Sequence, residues 1–312
     1  MQTGLVCVGL TTLDILGRPI ETIPEKGKTQ LIEQIRLTPA GTAAGAALNA
    51  AKLGLRTALV SAVGIDDMGA YVENALTALG VDTSYLQHRS DAPTSATMLA
   101  VDRQGHRPNF HAVGAAILLE IDAQLRDFII ASPHVHWAVG ALLFLDGQPS
   151  AEILKEAKTR GATVSCDFIA PDDHTLPALE AVLPYCDYFL PSMEEAMEIA
   201  GTRTPEETSA FYLARGAQTC VFKWGARGCW LADGQRQMRI PAFQVSAVDT
   251  TGCGDAFCGG FITAISKGWD MERACRFACA TAALVATGLG SDAGVVNFAE
   301  TLQAMQTLPV LE

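Results

Sequence analysis

Short apolar runs alternate along the chain with stretches whose apolar positions recur every three or four residues. Leu5–Val8, Thr57–Val63, His134–Val139, Thr163–Asp167, Tyr188–Leu190 and Thr219–Lys223 read as strands. Thr42–Leu53, Met68–Leu79, Ala151–Thr159, Leu176–Leu183, Glu194–Ala200 and Glu206–Arg215 read as helices, the first two closed by Gly54 and Gly80. Such alternation predicts an α/β chain with a mostly parallel sheet covered by helices on both faces. Two stretches break the rhythm. Gly17–Leu37 carries Pro19 and Pro24 among β-favouring residues, and Thr94–His111 reads as a strand (Ser95–Val101), a turn (Asp102–Gly105) and a second strand. These antiparallel signals predict either a small sheet standing off the main one, as a lid would, or a plain surface hairpin.

Composition narrows the class. The 312 residues are 49% hydrophobic and 18% charged, enough for a large core and too apolar for disorder. The net charge of −12, with scattered basic residues, disfavours nucleic acid and anionic membranes as partners. No segment has the apolar length of a signal or membrane span. Nine cysteines, an odd number without a C-x-x-C pair, point to a reducing cytoplasm. There is no dinucleotide fingerprint, P-loop or G-x-S-x-G elbow. His134 and His136 share a strand face, but no third metal ligand is evident, so a structural role is expected.

The strongest chemical signal is Val248-Asp249-Thr250-Thr251-Gly252-Cys253-Gly254-Asp255. Strand-like Gln244–Val248 precedes it, and an apolar face of Phe257, Phe261, Ile262 and Ile265 follows. A glycine-rich turn therefore opens onto a helix N-terminus, where unpaired N–H groups and the helix dipole favour an anion. Gly252 and Gly254 let that backbone approach a phosphate closely. Asp255 would stand beside the anion as a catalytic base or, equally on this pattern, serve as a helix cap.

This segment resembles the D-T-x-G-A-G-D signature of the ribokinase-like, or PfkB-type, carbohydrate kinases, with Cys253 in place of alanine. Five further segments resemble the family in the right order. They are Gly9–Asp14, Ala40-Gly41 through Leu53-Gly54, Val63–Gly69, Ser192-Met193-Glu194-Glu195, and Lys223-Trp224-Gly225-Ala226-Arg227-Gly228. The resemblance implies a three-layer sandwich with a mostly parallel central sheet and a small β-sheet lid. Residues 1–16, 38–93 and 113–312 would form the core, and 17–37 and 94–112 the lid. It implies transfer of the γ-phosphoryl group of ATP to a hydroxyl of a sugar-like molecule, with Asp255 as base and Gly252, Cys253 and Gly254 as the anion hole. Asp14, at the end of the first strand, would accept hydrogen bonds from sugar hydroxyls, with Gly41, Thr42 and Gly45 beside it. Lys223, Gly225, Gly228, Thr250 and Ser192 would lie around the nucleotide, with Gly225–Gly228 equally readable as only a hairpin turn, and the adenine against the C-terminal helices. Glu195 would help place Mg²⁺ through water, and Asp249 and Thr251 would hold a monovalent cation such as K⁺ through backbone oxygens. The lid would pair two subunits into a homodimer.

Departures from the family pattern bear on the acceptor. Gly45 stands where family members carry a sugar-contacting asparagine, which removes a polar contact and is expected to open space. Asp167-Phe168-Ile169-Ala170-Pro171 replaces D-x-N-x-R. Both changes predict a roomier, more apolar acceptor pocket, so a nucleoside kinase is the first alternative and a catalytically silent sugar or nucleotide sensor the second. Arg103 and Arg107 could reach in from the lid toward a distal phosphate but are expected to be solvated lid charges, and the acceptor to carry no phosphate.

Overall fold

The computed structural model describes residues 4–138 and 148–311. In chain order the strands are β1 (Leu5–Gly9), β2 (Thr12–Arg18), β3 (Gln34–Ala40), β4 (Thr57–Gly64), β5 (Val81–Asp82), β6 (Leu86–Arg89), β7 (Ala96–Ala100), β8 (Asn109–Ala112), β9 (His134–Ala138), β10 (Thr163–Asp167), β11 (Tyr188–Phe189), β12 (Thr219–Lys223), β13 (Cys229–Asp233) and β14 (Gln237–Ile240). The helices are α1 (Thr42–Lys52), α2 (Asp67–Ala78), α3 (Ala123–Ile130), α4 (Gln148–Thr159), α5 (Thr175–Val182), α6 (Met193–Ala200), α7 (Pro205–Leu213), α8 (Cys253–Ser266), α9 (Met271–Val285) and α10 (Phe298–Thr307).

The large sheet runs β14-β13-β12-β11-β10-β9-β1-β4-β5, with β6 also on β4. From β12 to β5 its pairs are parallel, and β13 and β14 add an antiparallel edge. Strand periodicity of two divides the core between its faces. Leu5, Cys7 and Val221 pack with Leu48 of α1, Phe261 of α8 and Phe277 of α9. Val6, Val8, Cys220 and Phe222 pack with Ile129 of α3, Leu154 of α4, Leu179 of α5, Met193 of α6 and Tyr212 of α7. The result is a three-layer α/β sandwich. Asp167 and Lys223 are the last residues of β10 and β12, at the carboxyl edge where open parallel sheets bind ligands.

The two stretches that break the sequence rhythm pair as a second, four-stranded sheet, β3-β2-β7-β8. It starts at Thr12 rather than Gly17, so residues 12–16, expected in the core, lie in the small sheet. Asp14 is therefore inside a strand of that sheet, not at the end of β1. One cross-strand row is Thr38–Asp14–Thr97–His111, and the next is Leu37–Ile15–Met98–Phe110. Thr38 and Asp14 are buried, whereas Met98 and Phe110 are 58% and 65% exposed. The sheet thus turns a polar row inward and an apolar row outward.

One expectation shifts. Gln244–Val248 is not a strand: Gln244 N–H donates to Pro309 O and Val248 N–H to Ala286 O, so C-terminal carbonyls take the place of a ladder. Gly225–Gly228 is the turn of the β12–β13 hairpin, with Lys223 opposite Cys229. Strand β9 is described to Ala138, and Val139 lies outside the described residues.

Candidate active site

Helix α8 starts on Gly252, whose φ of 73° belongs to the left-handed region. A side chain there would also begin 2.5 Å from Ser291 Cβ. No side chain caps this helix. Among the described residues the N–H groups of Gly254 and Asp255 have no protein acceptor, so the turn presents open donors. Cys253 opens the helix, and burial pushes its thiol up to about 12, so it is a neutral small residue there.

Asp255 sits in the first turn and lies over α1. A Cβ on Gly45 would be 2.6 Å from Asp255 Cβ and 2.7 Å from its Oδ2. The expectation that Gly45 opens space for the acceptor is therefore corrected: Asp255 itself fills that space. Burial pushes the Asp255 carboxyl up to about 7; Lys223 and Arg107 pull it down, while Asp167 and Asp14 push it further up.

On β2, Asp14 is 5% exposed. Burial pushes it, too, up to about 7, against a hydrogen bond from Thr97 and the charge of Arg107. Arg103 pairs with Glu33 at 3.0 Å, both side chains exposed, as expected of a solvated charge. Arg107 differs: although exposed, it donates from Nε to Thr250 Oγ1 at 3.1 Å, just ahead of the turn that starts α8.

Behind the turn, Lys223 Nζ lies 2.5 Å from Asp167 Oδ2 and 3.7 Å from Cys258 Sγ. Burial alone would lower its pKa, but the adjacent Asp167 carboxylate keeps it above the ordinary lysine value. Lys223 N–H donates to Pro191 O, which joins β12 to the start of α6. There Ser192 caps the helix, accepting from Glu195 N–H while its hydroxyl donates to Glu195 Oε2 at 2.5 Å. Glu195 Oε1 accepts from Ala170 N–H, and burial raises this carboxyl. Each Glu195 oxygen has one protein donor, which leaves lone pairs suited to a hydrated Mg²⁺.

Asp249 is engaged by the protein. Its Oδ1 accepts from Thr251 N–H and Oγ1, and its Oδ2 from Gly290 N–H. This carboxylate ties the turn to the 286–291 segment, leaving backbone oxygens to serve any cation. Ser291 Oγ, against Gly252, is buried without a protein partner. Gly41 and Thr42 also have internal roles. Gly41 Cβ would meet Leu10 O at 2.6 Å, and Thr42 Oγ1 donates to Ala138 O. Gly228 packs its α-carbon against Ile240 O. His134 and His136 both bond Ser165 Oγ at 2.9 Å and are lowered to about 3 by burial, so they are neutral. No cluster of metal-ligating side chains occurs among the described residues.

Sequence reasoning missed two partners. Asp167 was placed in a degenerate motif without its bond to Lys223, because the two are 56 residues apart and meet only through sheet order. Arg107 was given two readings, reaching in or solvated, and its partner Thr250 was not foreseen because nothing local shows that its turn rests there.

Asp255 beside open helix-terminal amides thus stands on a three-layer α/β sandwich, with Asp14 on the small sheet. The pfkB family carbohydrate kinase model matches residues 2–296, and the chain belongs to that family. It is 26% identical to the ribokinase of Haemophilus influenzae, over 98% of this chain and 99% of the relative. It is 27% identical to the nucleoside kinase of Methanothermobacter thermautotrophicus, over 96% and 94%. The structure of Arabidopsis thaliana ribokinase complexed with ribose and ATP superposes with a TM-score of 0.82 at 25% identity, over 98% and 99%. The chain is a carbohydrate kinase: a phosphotransferase with an alcohol group as acceptor.

Proposed function

We propose that the chain transfers the γ-phosphoryl group of ATP to a hydroxyl of a sugar or sugar derivative, with Asp255 as general base. One observation carries this reading: the Asp255 carboxylate lies on the first turn of a helix whose Gly254 and Asp255 amides have no acceptor among the described residues. An acid titrating near 7 suits proton removal at neutral pH. The open amides suit charge on the phosphoryl oxygens in transit. Asp14, inward on the lid strand, would orient the acceptor through its hydroxyls.

Mg²⁺ would neutralise the polyphosphate when bound, and Glu195 would hold it through water. Backbone oxygens around Asp249, Thr251 and Ser291 would hold K⁺. Lys223, Ser192, Thr250 and the Gly225–Gly228 turn would border the nucleotide. The small sheet would act as a lid that excludes water as a competing acceptor. Its apolar outer row suits a homodimer. The reducing cytoplasm suits nine free thiols. A nucleoside acceptor is the second reading, favoured by Ile169 and Pro171 in place of polar side chains.

Phosphorus NMR over pentoses, hexoses, sugar acids, sugar phosphates and nucleosides, with and without K⁺, would reveal the product. A catalytically silent sensor would bind ligand and form none. Asp255→Asn should keep ATP affinity and reduce turnover about 10²–10⁴-fold. Unchanged kcat would sink the base assignment.

A further inference from the structure

The resemblance places Lys223 beside the ATP phosphates, but the structure commits its ammonium elsewhere. Nζ is 2.5 Å from Asp167 Oδ2, with the two side chains 13% and 1% exposed. Cys258 closes the triangle, its thiol 3.4 Å from the same carboxylate oxygen. Above lies the first turn of α8. A side chain on Gly254 would begin 3.6 Å from Nζ, so the ammonium is lodged directly against the residue before Asp255. Glycine there leaves Lys223 in van der Waals reach of the turn. The ion pair is fixed from both ends: Asp167 Oδ1 accepts from Phe168 N–H, and the Lys223 backbone is anchored to Pro191 O.

We propose that Lys223, fixed by Asp167, is a positioning residue and not a phosphate ligand: its buried ammonium, lodged against Gly254, is the counter-charge packed beneath the turn that carries Asp255. The inference rests on the reading of Asp255 as base.

The groups facing Asp255 support it. Asp14 approaches from β2, Arg107 from the lid turn, Asp167 and Lys223 from the ends of β10 and β12, and Cys258 from one turn further along α8. Glu195 stands behind the ion pair on α6. Helix α1 faces it with Gly45. Lys223 is the buried cation of this set, and its effect on Asp255 exceeds that of Arg107, which is exposed on the lid. Asp167 acts oppositely. Removing either partner of the pair must therefore move Asp255 in opposite directions.

The test is a pH titration of protein labelled with ¹³Cγ-aspartate, with the Asp255 resonance assigned by its loss in Asp255→Asn. Lys223→Met should raise the Asp255 midpoint by about one pH unit or more. Asp167→Asn should lower it. The double variant, which leaves no unpaired buried charge and guards against misfolding, should fall between the two single variants. Lys223→Arg should stay near wild type. The acid limb of kcat/KM for the acceptor, at saturating MgATP, should follow the same order. Midpoints that stay put, or move in the same direction in both single variants, overturn the proposal. A tenfold rise in KM for ATP in Lys223→Met with an unmoved midpoint would make Lys223 a phosphate ligand instead. The parent reading fails separately, through wild-type turnover in Asp255→Asn.

Discussion

Helices α1 and α8 begin alike and end up with different work. Each starts on a glycine with positive φ, 99° at Gly41 and 73° at Gly252, and neither has a side-chain cap. At α1 the first amides are engaged by the protein itself: Ala43 and Ala44 N–H both donate to Leu10 O at 3.2 Å. At α8 the Gly254 and Asp255 amides find no acceptor among the described residues. A helix N-terminus is thus an anion site only where the fold leaves its donors open. The two helices also pack on each other, with Gly45 of α1 beneath the Asp255 carboxylate and Gly259 of α8 against Ala46 and Ala50 of α1.

Matched substitutions break the comparison most sharply. Alanine at either glycine combines a left-handed backbone with a backbone or side-chain clash, 2.6 Å to Leu10 O at Gly41 and 2.5 Å to Ser291 Cβ at Gly252. Each should destabilise the fold by about 1–3 kcal/mol. Gly252→Ala should in addition lower kcat by roughly 10²–10³-fold, the scale of losing an anion-hole donor. Gly41→Ala should keep kcat near wild type in the protein that remains folded. Steady-state kinetics corrected for folded fraction decide it, and equal kcat losses would show that both helix starts serve catalysis.

Gly45→Ala probes one point where the helices touch. A methyl group cannot occupy a position 2.6 Å from Asp255 Cβ without moving that side chain. Misplacing a catalytic group by about 1 Å costs up to 10²-fold, so kcat should fall roughly 10–10²-fold with KM for ATP little changed. Wild-type kcat would mean that Asp255 need not sit where it does.

These contacts separate what sequence can convey from what it cannot. The parallel sheet, most helix bounds and the glycine turn before α8 were legible, because periodicity and turn residues act locally. The small sheet was legible as two antiparallel stretches. Its first strand was cut short at Gly17 because β2 follows β1 after only two residues, with no turn signal to divide them. The hairpin edge of β13 and β14 was not foreseen beyond its Gly225–Gly228 turn. Gly45 was misread for a different reason. A missing side chain looks like empty space until the partner helix is placed, and that partner is 210 residues away in Asp255, since 255 − 45 = 210.

Asp14 gives a smaller, pH-dependent effect. Its carboxyl titrates near 7 in the folded chain against an ordinary value of 3.8. Stability from the protonated form is therefore fully present below about pH 4 and lost as pH rises through about 7. Asp14→Asn removes that loss, so Tm should rise by a few degrees at pH 8, on the order of 1 kcal/mol, and hardly change at pH 4. The same variant should weaken acceptor binding more than ATP binding. An equal Tm shift at both pH values would assign the effect to packing, not to charge burial.

The smallest effect belongs to the contact that joins lid and turn. Arg107 Nε reaches Thr250 Oγ1 just ahead of Gly252, but the guanidinium is exposed, and exposed charges contribute little and are screened by salt. Arg107→Gln should raise KM for the acceptor by roughly two- to fivefold at low ionic strength, less at high, and leave kcat within a factor of about two. Thr250→Val, which removes only the acceptor oxygen, should do the same without the salt dependence. A hundredfold fall in kcat for Arg107→Gln would give the lid arginine a direct role at the transferring phosphoryl group. The open amides of α8 would then be only half of the device that stabilises it.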